Sequence, residues 1–282
     1  MYFKWPTPLQ NTPNGRLIVT IIGVIVALSL GILAGFLGNK FNYEKYGKKT
    51  DYVLGFLGVA LVGLEIFKQV FVSIENGGYP INYIPLQICS LAEYLLLLMF
   101  FVKNKIVRNV VLGFVAFFAL LGGVMYFVSP TSAIVTPYVV ITFHAITWHS
   151  TLVFTGVFTI TAYKLADLKK WPVLLSGYVF WVAMTLVAVI INETALKEFI
   201  INNNANPALD TEYGIFYISR FAEPFYPVLK IFFPKHVLSD GIYTVYYFSF
   251  LIYFGLGGCL MLVLAWAIRL FINEVILKNK TA

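Results

Sequence analysis

Long apolar stretches separated by short polar connections dominate the sequence. A transmembrane helix needs roughly 20 consecutive apolar residues, and seven of the stretches meet that length. We predict membrane spans at about Leu17–Leu37, Tyr52–Val72, Ile84–Val102, Ile106–Val128, Thr136–Tyr163, Pro172–Asn192 and Tyr243–Phe271. The predicted fold is therefore an all-α polytopic membrane protein, in which residues 1–282 form a single domain, a bundle of seven transmembrane helices.

Lysine and arginine residues fall in alternate connections. The short connections after spans two and four carry neither residue type, whereas basic residues follow spans one, three, five and seven, namely Lys40, Lys45, Lys48, Lys49, Lys103, Lys105, Arg108, Lys164, Lys169, Lys170, Arg269, Lys278 and Lys280. Because basic connections stay in the cytoplasm, this pattern predicts an N-terminus outside and a C-terminus inside.

The segment 193–242 does not fit as another span. It opens with a polar run, Asn202–Asn206, and then becomes rich in aromatic residues and proline from Phe216 to Pro234. A connection of this length without structure of its own would be unusual. We expect one or two short interfacial or re-entrant helices that form an extracytoplasmic aromatic cap between helices six and seven. A plain extracytoplasmic loop is the alternative.

Composition supports a membrane protein. Hydrophobic residues make up 60% of the chain and charged residues only 12%, against roughly 25% charged in a soluble domain. The net charge of +7 is explained by topogenic lysines and arginines, and the absence of a soluble basic segment argues against a nucleic-acid partner. We expect a multi-pass protein, in the plasma membrane. Its two cysteines lie in apolar runs, so no disulfide framework is implied.

A few polar side chains interrupt the spans. Ionisable groups inside a bilayer are costly to insert and are functional candidates by default. With a rise of 1.5 Å per residue, the candidates all fall in the outer half of the membrane. They are Glu65, Cys89, Glu93, His144, His149 and Asn192.

Helical spacing sorts some of these residues by face. Cys89 and Glu93 are four residues apart and share one face of span three. His144 and His149 are five apart, roughly 140° around the helix, so both cannot point straight at one site. His144 shares a stripe with Trp148 instead, and one histidine is then the base while the other packs or supports it.

Structural roles stay open for each candidate. A buried cysteine usually acts as a small hydrophobic residue, which is one interpretation of Cys89. Glu65 or Glu93 could pair with Lys68 or with a histidine to satisfy a buried charge, and a membrane histidine can serve as an interhelical hydrogen bonder.

Two short motifs resemble a known family. The stretch Pro85–Leu91 resembles the Pro-Leu-His-Leu-Cys-type motif of the YwaF integral membrane proteins, with Gln87 standing where bacterial relatives often have histidine. Phe143-His144 followed by Trp148-His149-Ser150 resembles that family's histidine motif in span five. Asn192 is placed similarly to an asparagine of the family pattern.

The resemblance implies a function. YwaF proteins look related to eukaryotic transmembrane protein 164, an acyltransferase that moves fatty acyl chains between phospholipids with a membrane Cys and His. By that resemblance, Cys89 is the nucleophile and His149 its catalytic partner, and the partners are a phospholipid acyl donor and an acceptor. The predicted activity is an outer-leaflet phospholipid acyltransferase with a thioester intermediate.

Supporting roles are left open. Glu65 or Glu93 would orient the imidazole, and Gln87, Asn192 or backbone N–H groups near Pro85 would stabilise the oxyanion. No cofactor is implied, and one Cys with two His at this spacing does not predict a metal site.

Two other classes of function compete. In a proton-coupled transporter or channel, Glu65, Glu93, His144 and His149 would line the path. A noncatalytic membrane scaffold would tolerate substitution of all these residues. An acyltransferase requires Cys89, whereas a carrier requires the carboxylates and tolerates serine or alanine at position 89.

Overall fold

The computed structural model describes residues 13–79, 84–128, 138–196 and 198, and residues 255–257, 259, 260, 263, 266 and 267 of a further helical stretch. These residues form helices and turns without a β-strand. The helices are α1 (Pro13–Lys40), α2 (Tyr43–Tyr46), α3 (Lys48–Asn76), α4 (Ile88–Leu98), α5 (Lys105–Gly113), α6 (Leu120–Val128), α7 (Val139–Ala162) and α8 (Trp171–Glu193).

Five helical stretches are long and apolar enough to cross a membrane. They are Leu17–Lys40, Lys48–Glu75, Lys105–Phe127, Val139–Ala162 and Trp171–Glu193. The chain is therefore an all-helical, multi-pass membrane protein, as the apolar pattern predicted. The agreement is closest for α8, where Pro172 lies in the first turn, a position at which its missing N–H leaves no helical hydrogen bond unmade.

The predicted third span, Ile84–Val102, is shorter in the structure. Helix α4 has 11 residues, which is roughly 16 Å of helix and less than the hydrocarbon core. Residues 84–87 precede it in a non-helical conformation. Pro85 disfavours helical geometry at the residue before it, Ile84. Beyond Leu98 the chain continues in tight turns, with Met99 and Phe101 each donating to the carbonyl three residues earlier. Pro85 thus precedes the helix and does not lie in its first turn.

Two predicted features fall largely outside the described residues. The cap segment is described only up to residue 196 and at residue 198, and most of the seventh span, Tyr243–Phe271, is not described. The described residues between 255 and 267 are helical. A Cβ at Gly255 would lie 2.8 Å from the Tyr178 ring, and one at Gly257 would lie 2.8 Å from Leu121. These glycines therefore face α8 and α6.

Helix α7 is central in the bundle. It packs along α1 and also contacts α3 and α6, while α3 packs on α4, and α5 packs on α8. At the crossing of α5 and α8 the two backbones come very close, since a Cβ at Gly113 would lie 2.0 Å from the Val173 carbonyl oxygen. Small residues allow such backbone contact between membrane helices, where dispersion forces replace the hydrophobic effect.

A π-helical segment joins α5 to α6. It covers Phe114–Ala119, and all six side chains are buried. The ring of Phe118 stacks on Trp181 of α8 at 5.5 Å, and Phe114 meets Phe180 edge-on at 5.4 Å. The segment therefore lies in the buried core, in contact with α8.

A charged cluster closes one end of the bundle, which we call the basic end. Asp51, at the start of α3, is fully buried, and its carboxylate lies 2.7 Å from the Arg108 guanidinium. The Tyr163 hydroxyl donates to the same carboxylate at 2.6 Å. Burial raises the pKa of Tyr163, so the phenol stays protonated and remains a donor. The cluster thus joins α3, α5 and the end of α7.

Candidate functional site

Cys89 lies at the end of the bundle opposite the basic end. It occupies the first turn of α4, two residues after Gln87, whose extended backbone is the N-cap of the helix. The Tyr94 hydroxyl donates to the Pro85 carbonyl at 3.1 Å and ties the incoming chain to the second turn. Glu93 follows Cys89 by one turn and is 1% exposed. The predicted shared face of Cys89 and Glu93 follows from this helix.

Two close contacts define the register between α3 and α4, that is, which residue of one helix lies opposite which residue of the other. A Cβ at Gly58 would lie 2.8 Å from the Leu97 nitrogen, and one at Gly55 would lie 2.7 Å from the Phe100 ring. The two helices run in opposite directions, so each step along α3 is matched by a step back along α4. Continuing this register puts Cys89 level with Glu65.

Glu65 belongs to a polar group on α3. The Lys68 Nζ lies 2.7 Å from Glu65 Oε1, and Gln69 Nε2 donates to the same oxygen at 2.5 Å. Lysine three residues on and glutamine four residues on both reach one face of a helix. Of the pairings considered from the sequence, the structure therefore selects Glu65 with Lys68. Neither oxygen of Glu93 has a hydrogen-bond partner within the described part of the chain.

The ring of His149 is held from two sides. Its Nδ1 lies 2.7 Å from the Ala145 carbonyl oxygen, and because a carbonyl only accepts, Nδ1 carries the proton. The Tyr126 ring of α6 stacks on the imidazole at 3.7 Å with an interplanar angle of 4°. When the ring is neutral, Nε2 is therefore the unprotonated nitrogen, which is the atom a general base requires.

His144 lies on another side of α7. Its ring stacks on Trp148 at 5.4 Å, which confirms the stripe predicted from the spacing. The side chain is buried, and its Nε2 has no hydrogen-bond partner among the described residues. His144 and His149 thus have different surroundings, as expected for residues five apart on one helix.

One ammonium group connects the predicted site residues. Lys68 lies within electrostatic range of four of them, which are Cys89, Glu93, His144 and His149. Since Lys68 also contacts Glu65 directly, five of the seven predicted site residues either contact it or lie within its electrostatic range. Side chains from α3, α4 and α7 therefore converge near the start of α4, and we call this group the Lys68 cluster.

The other two predicted residues have defined positions but untested roles. Gln87 caps α4 two residues before Cys89. Asn192 is fully buried in the last turn of α8. Their proposed action on an oxyanion stays a prediction, as does a direct contact between the Cys89 sulfur and His149.

Two residues of the site were missed as functional candidates. Lys68 was considered only as a charge partner, although it is the one basic residue in the predicted span Tyr52–Val72, and an isolated cation in a membrane span marks a functional site by default. Tyr126 gave no such signal, because a tyrosine near a helix end is ordinary in membrane proteins. Its contact with His149 depends on how α6 packs against α7.

In residues 13–79, 84–128 and 138–196, no three His, Cys, Asp or Glu side chains are placed to hold one metal ion. The chemistry available is that of a thiol, an imidazole, carboxylates and an ammonium.

Comparisons with protein-family models, with curated proteins and with solved structures gave no match, so the function is argued from this geometry.

Proposed function

We propose that the Lys68 cluster is the active site of a membrane phospholipid acyltransferase that uses Cys89 as nucleophile and His149 as base. The observation that supports it is that one thiol and one imidazole, each inside an apolar helix, lie in range of the same ammonium group. A thiol and a base held together are the minimum equipment for covalent acyl transfer.

The first half of the reaction forms a thioester. His149 Nε2 takes the Cys89 proton, and the thiolate attacks the carbonyl carbon of an ester in the donor lipid. The tetrahedral intermediate collapses by breaking the bond from that carbon to the glycerol oxygen. His149 returns its proton to this oxygen, which releases a lysophospholipid and leaves the acyl group on Cys89.

The second half passes the acyl group on. His149 removes a proton from a hydroxyl of the acceptor lipid, whose oxygen attacks the thioester carbonyl. The carbon–sulfur bond breaks, and the thiolate regains the proton from His149. The fixed Nδ1 hydrogen bond to Ala145 and the stacked Tyr126 hold one tautomer and one ring plane through both halves.

The proposal predicts an acyl adduct on Cys89. Protein purified from a membrane extract and incubated with a phospholipid bearing a labelled acyl chain should gain the mass of that chain, and fragmentation should place it on Cys89. Neutral hydroxylamine should remove the label, because it cleaves thioesters. If intact-mass spectra show no adduct with donors of several headgroups, the covalent mechanism is wrong.

A transporter or channel is the second candidate. It is favoured by the buried carboxylate of Glu93 and by Nε2 of His144, which lack hydrogen-bond partners in the described residues. Intramembrane ionisable groups of this kind form proton relays. Proton flux in liposomes that is lost in Glu93→Gln and retained in Cys89→Ala would support this candidate against acyl transfer.

The membrane arrangement is also a proposal. We propose seven spans with the N-terminus outside, so that the Lys68 cluster lies in the outer leaflet of the plasma membrane under the aromatic cap. The proposal is supported by the position of the cluster opposite the basic end.

Labelling tests this arrangement. In a protein with both native cysteines replaced by alanine, Gly78→Cys should react with an impermeant maleimide added to intact cells. Lys45→Cys should react only after permeabilisation. Both positions are exposed in the structure, so a difference in labelling reports the side of the membrane and not burial within the protein. The reverse pattern would place the cluster in the inner leaflet.

A further inference from the structure

The side chain of Lys68 is not explained by the fold alone. Its ammonium lies 2.7 Å from Glu65, yet its side chain is only 16% exposed. A buried ion pair contributes little net stability, because the desolvation of two charges offsets their attraction. Two apolar residues would fill the same positions in a membrane helix at lower cost. The pair is therefore better explained by what it does to a neighbour.

The neighbour given by the helix register is Cys89. The Gly58 and Gly55 contacts bring the first turn of α4 level with Glu65, one turn of α3 below Lys68. The helix start itself contributes positive partial charge, because its first backbone N–H groups have no helical acceptors. Lys68 and the start of α4 are thus two sources of positive potential close to the level of Cys89.

We propose that Lys68 is a positioning residue that favours the thiolate form of Cys89, and that Glu65 and Gln69 hold its ammonium in place. Its catalytic role rests on the proposed acyl transfer, but its effect on the thiol does not. In this arrangement Lys68 provides the fixed charge that a buried thiol needs to become reactive, while His149 accepts the proton.

The charged and titratable groups around Cys89 come from every helix packed on α4. Glu65 is the nearest opposing charge on α3, and the π segment adds only apolar side chains. Among the described residues these groups are Glu65, Lys68 and Glu75 on α3, Glu93 and Tyr94 on α4, Tyr126 on α6, His144 and His149 on α7, and Tyr79 after α3. Lys68 is the one permanently cationic side chain in this set at neutral pH.

Alkylation of Cys89 tests the inference directly. The chain has two cysteines, so Cys259→Ser leaves Cys89 as the only thiol. The rate of reaction with iodoacetamide, which requires the thiolate, is measured by mass spectrometry in detergent micelles from pH 7 to pH 10.5. Lys68→Met should slow the reaction at pH 8 by ~10-fold, since a neighbouring opposite charge changes ionisation by at least about one pH unit.

Three comparisons make the result specific. Lys68→Arg, which keeps the charge, should restore the rate to within ~3-fold of the parent. The difference between Lys68→Met and the parent should narrow towards pH 10.5, because a growing fraction of the thiol is ionised in both proteins. Lys49→Met is the matched control, because it removes an exposed lysine from the basic end of the same helix, ~28 Å away along α3.

The inference would be overturned if Lys68→Met and the parent were alkylated at equal rates at pH 8. It would also be overturned if Lys68→Arg were alkylated as slowly as Lys68→Met. If Lys68→Met does not purify as a monodisperse protein, Lys68→Gln replaces it, because an amide can still hydrogen-bond to Glu65 without a charge. Failure here is distinct from failure of the proposed function: unchanged alkylation removes the role of Lys68, whereas a missing acyl adduct removes the covalent reaction.

Discussion

Replacing Cys89 with alanine is expected to abolish acyl exchange between phospholipids while leaving the protein folded. Alanine fits the apolar start of α4, but it removes the thiol that is proposed to carry the acyl group. Cys89→Ser should also be severely impaired, because a membrane-buried hydroxyl is far harder to deprotonate than a thiol. The measurement is exchange between two isotopically labelled phospholipids in liposomes that contain the purified variants.

The second cysteine provides the control. Cys259 is exposed, and Cys259→Ala should exchange acyl chains at the parental rate. His149→Ala should lower turnover by about 10²- to 10⁴-fold, the usual loss for a general base, whereas His144→Ala should cost much less. Parental exchange by Cys89→Ala would end the covalent mechanism.

The second large effect is expected at the crossing of α5 and α8. Gly113→Ala adds one methyl group that would lie 2.0 Å from the Val173 carbonyl oxygen and 2.9 Å from the Gly177 nitrogen. Backbone atoms on both sides cannot move aside without separating the helices. We expect a loss of at least about 3 kcal/mol, at the upper end for overpacking, seen as a lower melting temperature and a smaller monodisperse fraction after detergent extraction.

Gly63→Ala is the matched control for this change. Gly63 is also a helical glycine in a membrane-spanning stretch, but a Cβ there meets nothing within 4 Å. The substitution should be neutral or stabilise by up to about 1 kcal/mol, because alanine has the higher helix propensity. If both variants behave alike, the close crossing does not limit stability.

The apolar pattern predicted where long helices lie but not where each one ends. Helix α3 runs from Lys48 to Asn76, well beyond the predicted span, because its polar ends are helical although they do not add to the apolar run. The opposite holds for α4, where apolar residues continue on both sides of an 11-residue helix. An apolar run shows that a segment is buried in protein or lipid, but it does not show where the helix ends. The ends depend on backbone constraints such as Pro85.

The candidate site was predictable to the extent that it depends on single helices. Spacing gave the Cys89–Glu93 face and the His144–Trp148 stripe. Spacing did not give the register between α3 and α4, which brings Lys68 near Cys89, or the packing of Tyr126 on His149. Both depend on which helices pass close together, and that is decided by contacts at glycines such as Gly58 and Gly123.

The π segment determines the angle, around the axis of the continuous helix α5–α6, between the face that packs on α8 and the face that packs on α7. On one side of Phe114–Ala119, Gly113 is fixed against α8. On the other side, Tyr126 is fixed against the ring of His149. A π turn takes up an extra residue, and each residue turns an α-helix by about 100°. Without this wide turn, a helix anchored at Gly113 would point Tyr126 about a quarter-turn away from the imidazole. A local irregularity in the core therefore determines whether Tyr126, about two turns further along, can stack on the proposed base.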